Sequence, residues 1–185
     1  MDDMKDNLIP LLEDLKKEPT KETITEILKE FGVESSEYWA KDEIEGKEAV
    51  LASFRFLRPL QETLDMYLYH NDSWVQRSIQ RANELATPHT NDLIIKEMVQ
   101  AEIPPEKIGL FAYWIARSAM NEILYRLSDA GGGDYNLPNE GEDLPSWRLA
   151  EYTAQSGNPM NVKPTGRLLL ELHNLFPFHN PGEKE

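Results

Sequence analysis

Cysteine is absent from all 185 residues. That removes disulfide frameworks, thiolate nucleophiles and every zinc or iron-sulfur site that needs a thiolate ligand, and it fits a reducing, cytoplasmic setting. Basic side chains are also scarce, with 19 Lys and Arg against 33 Asp and Glu and a formal net charge of -14. Direct nucleic-acid binding needs clustered cations to displace counterions from phosphates, so the balance argues against it and against an anionic membrane surface. Long apolar runs are missing too. The strongest, Ile108 to Ala116, spans nine residues before Arg117, whereas a membrane crossing takes about 20. The start, MDDMKDNLIPLLEDLKKE, lacks the basic and uninterrupted apolar regions of a secretory leader, and none is expected.

What is present reads as helix. Leu8, Leu11, Leu12 and Leu15 recur at helical spacing, and Pro10 places the expected start just before it, with Asp6 or Asn7 as cap. After Pro19, Thr20 is placed to cap a second helix with the stripe Ile24, Ile27, Leu28 and Phe31, and Gly32 stands where a left-handed terminal residue is wanted. Residues 33–45 show no sustained period and are expected to be a linker or an irregular docking segment. The period returns from Lys47 to Tyr69, where Pro59 should kink or divide the helix. Asn71 or Asp72 is expected to cap a helix carrying Val75, Ile79 and Ala82, and Thr90 or Asn91 to open another with Ile94, Ile95 and Met98.

Pro104-Pro105-Glu106 is a start signal for the longest helix, since proline is preorganised for a first turn and Glu suits the positive end of the dipole. That helix is expected to reach about Ser128. Its apolar residues lie on nearly every side, so it should be the central helix, enclosed by the others; Gly109, Ala112, Ala116 and Ala119 would let a neighbouring backbone approach. Residues 130–146 contain four Gly, two Pro and four acids without a base, and are expected to be a mobile loop. Trp147 to Thr153 fits strand and helix equally, SGNP at 156–159 reads as a turn, and Leu168, Leu169, Leu172 and Leu175 predict a last short helix.

The expected fold is therefore mainly α: a single helical bundle with a long central apolar helix, an acidic N-terminal helical hairpin, and an irregular C-terminal quarter with room for a short strand pair. Residues 1–45 are read as hairpin plus linker, and 46–185 as the bundle with its C-terminal irregular segment and short helix. The charge is uneven. Residues 1–45 hold 6 bases and 14 acids, residues 46–130 hold 9 and 11, and residues 131–185 hold 4 and 8.

No chemical motif emerges. His173, His179 and Glu171 match no metal-ligand spacing, and neither HExxH nor Glu-x-x-His occurs. Gly131 to Gly133 follow a helix and precede acids, the reverse of a phosphate loop. Asp134, Asn136, Asn139, Glu140 and Glu142 lack a calcium loop's register, because Pro138 takes a ligand position. Ser156-Gly157 has no nucleophile-elbow context. Thr165-Gly166-Arg167 could offer an anion its backbone N–H groups and guanidinium, but a tight turn beside a surface arginine accounts for it more simply.

No cofactor and no metal is expected. The leading functional expectation is a non-catalytic acidic protein that engages a basic macromolecular partner, in an inhibitor, immunity-type or nucleic-acid-mimic role. Its expected contact residues are the edge aromatics Tyr38, Trp39 and Trp147 and the loop acids Asp134, Glu140, Glu142 and Asp143. The alternative is a small-molecule enzyme or ligand-binding bundle around Arg117, Asn121 and Glu122, the polar residues that interrupt the long apolar helix; a simpler account makes Glu122 and Arg126 a surface ion pair. A third reading has the acidity serve solubility alone.

Overall fold

Thr20 shows how closely some local signals are obeyed. Its hydroxyl accepts the Thr23 N–H at 3.1 Å and opens a helix over Lys21–Glu30. At the other end Gly32 takes φ +76°, its N–H reaches Lys29 O at 2.8 Å, and the Val33 N–H reaches Leu28 O at 3.0 Å. Together these satisfy the last carbonyls in the manner of a Schellman motif.

The computed structural model of the chain describes residues 2–46, 48–128, 148–155, 158–169 and 171–178. Among them are seven helices, α1 Asp2–Lys17, α2 Lys21–Glu30, α3 Ser36–Glu45, α4 Val50–Tyr69, α5 Asn71–Glu84, α6 Thr90–Gln100 and α7 Pro105–Ser128, and two strands, β1 Ala150–Gln155 and β2 Asn158–Leu168. The mainly α class and the C-terminal strand pair are as expected. The chain divides into two units, one formed by residues 1–58 with 121–185 and the other by residues 59–120. The boundaries fall inside α4, at Pro59, and inside α7.

In the first unit α1 packs on α2 as a hairpin, and α3 packs on α2. The cap expected at Asp6 or Asn7 is not used, because α1 already begins at Asp2 and continues through Pro10. Pro10 is exposed, so the hydrogen bond it removes is lost where solvent can replace it. The expected linker is also corrected: residues 36–45 are helix. Only Ser36 and Ala40 of α3 are fully buried, one turn apart, which is too little apolar surface to print a period on the sequence. Ile24, Ile27, Leu28, Val50, Phe54, Leu57, Leu172 and Phe178 supply much of this unit's buried side.

α4 is undivided at Pro59. β1 and β2 run antiparallel, with Tyr152 opposite Pro164, Thr153 opposite Lys163 and Ala154 opposite Val162. The expected final helix is therefore absent: residues through Leu168 are strand, and residues 172–174 form a turn with the Asn174 N–H on Glu171 O at 2.8 Å. Leu169, Leu172 and Leu175 are buried as their pattern implied. Leu168 and Leu169 are held by pairing along β1, with the Leu169 N–H on Leu149 O at 3.0 Å, and not by local helical spacing. Of the expected turn at 156–159, residues 156 and 157 lie outside the described residues, and Asn158 and Pro159 already belong to β2.

The second unit gathers Val75 of α5, Ile95 of α6 and Ile108 of α7 with Trp74, Ile79, Met98 and Val99 around them. Capping by Asn71 or Asp72 is corrected, since His70 and His89 hold the positions before α5 and α6 and neither side chain closes a cap. Gly109 fulfils its expected role. A Cβ there would lie 2.3 Å from Tyr67 O and 2.5 Å from the Asn71 Cβ, so only glycine allows this approach. Enclosure of α7 is the expectation that fails: Leu110, Phe111, Trp114 and Ile115 are exposed, because the apolar residues nearly encircle a helix that has neighbours along only part of its circumference.

Candidate functional site

The turn from α2 into α3 shapes a groove in the first unit. Ser35 adopts φ +53°, its carbonyl accepts the Tyr38 N–H at 2.9 Å, and the next turn of helix presents Tyr38 and Trp39 side by side. Phe54 of α4 and residues 174–178 complete a groove of about 440 Å³ lined by Val33, Glu34, Ser35, Tyr38, Trp39, Phe54, Asn174, Leu175, Pro177 and Phe178. Its volume falls in the range of roughly 300–1,000 Å³ usual for ligand sites.

Four rings run along it edge to face. Tyr38 and Trp39 lie 5.0 Å apart, Trp39 and Phe54 6.3 Å, and Phe54 and Phe178 5.3 Å. Phe54 and Phe178 are buried, whereas Tyr38 is 58% exposed. Two rings thus form the floor and two stay reachable. Among the described residues, Glu34 is the one charged residue of the lining. Acid and ring faces together attract a cation, since a π face carries partial negative charge and a nearby carboxylate adds a full one. Lys21, Glu22, Thr25, Glu26, Lys29 and Glu37 line a second, smaller depression of about 250 Å³.

Arg167 does something other than bind a free anion, which corrects both readings of Thr165-Gly166-Arg167. Gly166 sits within β2 at φ +87°, where the register against β1 shifts, and the Arg167 side chain is only 24% exposed. Its guanidinium meets Glu43 at 2.7 Å and Glu151 through two nitrogens at 2.7 and 2.9 Å, and donates to the carbonyls of Glu43 and Glu48. The other Glu43 oxygen accepts the Leu51 N–H at 2.9 Å, at the start of α4. One arginine therefore ties α3, α4, β1 and β2 together. Burial pushes the Glu151 carboxyl up, but Arg167 and Thr165 outweigh it and hold it below the usual range. Nearby, burial raises Glu48, with Glu171 and Asp42 adding to the effect.

The residues singled out from sequence scatter. Tyr38 and Trp39 meet in the groove. Trp147, Asp134, Glu140, Glu142 and Asp143 lie outside the described residues, as do the expected loop at 130–146, His179 and the glycine triplet. Arg117 lies over the Trp114 ring at 4.9 Å. Asn121 and Glu122 are exposed, and Glu122 holds Arg126 at 3.1 Å, as the simpler account had it. None of the three lines the groove.

His173 approaches the Ser128 hydroxyl at 3.2 Å and packs edge-on to Tyr125, but that hydroxyl already donates to Leu124 O within its own helix. The pair closes the end of α7. No group of three or more His, Asp or Glu suited to a metal occurs among the described residues. In the second unit Asp92 is fully buried and takes two bonds from Arg81, at 2.6 and 3.0 Å, which hold its carboxyl below the usual range. Glu34, Phe54 and Phe178 escaped sequence reading because they come from segments up to 144 positions apart, and nothing local links them.

No protein-family model, no curated protein and no solved structure matches this chain.

Proposed function

We propose that this is an acidic, non-catalytic binding protein whose aromatic groove receives a cationic side chain from a basic protein partner. The observation that supports it is the coincidence of Tyr38, Trp39 and Glu34 in one groove, within a unit that holds 14 bases and 25 acids. The long-range field draws the partner in, and the rings and Glu34 select where a Lys or Arg seats. A cytoplasmic setting, which the cysteine-free composition fits, belongs to the same proposal.

Calorimetric titration with arginine-rich, lysine-rich and neutral peptides tests it. Binding of the basic peptides only, weakened by salt and reduced by about tenfold in Trp39→Ala, is the expected result. Absence of binding at low salt, or affinity indifferent to Trp39→Ala and Glu34→Gln, would remove the groove from the reading.

A further inference from the structure

The uncovered side of α7 has a pattern of its own. Leu110, Phe111, Trp114 and Ile115 are 42 to 60% exposed and recur at three- and four-residue spacing, so they share one side of the helix. Lys107 precedes them on that side, and Ser118 and Glu122 follow; all three are exposed.

The pattern is self-complementary about the point midway between Trp114 and Ile115. Reversing the helix about that point sets Lys107 level with Glu122, bulky Leu110 with Ala119, and bulky Phe111 with Ser118. Opposite charges exchange, and large residues meet small ones. In a two-fold pair each of these matches occurs twice, which is the requirement of an isologous interface. Glu122 already holds Arg126 at 3.1 Å, but its side chain is 65% exposed and a carboxylate accepts more than one cation.

We infer that this strip of α7 is a self-association surface: two copies of the chain pack α7 against α7 in antiparallel fashion, with Lys107 of each beside Glu122 of the other. Trp114 and Ile115 interleave at the centre. Bulk set against small residues admits close helix packing, and the two ion pairs at the ends select the antiparallel over the parallel arrangement, which would stack like charges.

Sedimentation of the full chain over about 1 to 100 μM reads the result. The expected outcome is a reversible monomer–dimer equilibrium that Phe111→Glu shifts to monomer. Lys107→Glu and Glu122→Lys should each weaken the dimer by about tenfold, and the two combined should restore it. Phe111, Lys107 and Glu122 are exposed, so helical content checked by circular dichroism should stay constant. Because the chain contains no cysteine, Lys107→Cys and Glu122→Cys proteins can also be mixed and oxidised. Cross-linking between the two variants in preference to either with itself supports the antiparallel pair. A monomer at all concentrations, a dimer indifferent to Phe111→Glu, or a charge reversal that fails to restore association would overturn the inference.

Discussion

The two units divide the charge unequally. Residues 59–120 hold 5 bases and 8 acids, whereas the rest of the chain holds 14 and 25. They also place their aromatic residues differently: the first unit arranges rings along a groove with Glu34 beside them, and the second turns Phe111 and Trp114 outward on α7. Each unit nevertheless contains an arginine committed to buried or half-buried carboxylate, Arg167 in the first and Arg81 in the second. The lesson is that net charge and internal ion pairing are separate properties. Surface acidity sets encounter and solubility, and a few desolvated pairs set local geometry.

Arg167→Ala offers the strongest way to break the comparison. It strands Glu43 and Glu151, whose side chains are 9 and 14% exposed, and should cost about 3 kcal/mol, read as lost amide protection in α2, α3 and the strand pair. Protection in α5 and α6 should be retained. Gly109→Ala is the converse experiment in the second unit. Its Cβ meets backbone at Tyr67 and should cost about 2 kcal/mol by overpacking, with protection lost in α5 and α6 first. Equal loss in both units from either substitution would show that they unfold together.

Acidification sharpens the same contrast. Arg81 depresses the Asp92 carboxyl in the folded chain, so its contribution is complete above the unfolded pKa of about 4 and is lost as pH falls through the lower folded value. An acid titration of unfolding should therefore show a slope that Asp92→Asn reduces, leaving the part that Glu151 contributes. Glu48 has the opposite sign, because burial raises its carboxyl: the penalty is present above the folded pKa and disappears at low pH. Glu48→Gln should stabilise the chain at pH 7 by under about 0.5 kcal/mol, a figure reduced for solvent screening, and have no effect well below pH 4. Comparing denaturant midpoints at the two pH values would check it.

The site was half legible in the sequence. Tyr38 and Trp39 stood out because large aromatics in a segment without a period need a reason to be there. Their partners did not, since Phe54 reads as one more residue of an apolar stripe and Phe178 as part of the stop to an expected short helix. Charge arithmetic placed an excess of acid in the first 45 residues, where Glu34 lies, but could not say which acid would stand beside the rings.

By itself the sequence determined the elements whose ends close locally: α2, through Thr20 and Gly32, and α7, through Pro105 and Glu106, both carry their signals within a turn of where they act. The reach of α7 to Ser128 and the need for a residue without a side chain at Gly109 were equally readable. Tertiary structure alone decided that residues 36–45 are helical, that the leucines after Arg167 leave a strand and not a helix, and that one guanidinium joins Glu43 to Glu151. Those outcomes depend on partners outside each segment, from β1 pairing with β2 to Arg167 reaching Glu43 124 positions away, and such pairings leave no period in the segment that makes them.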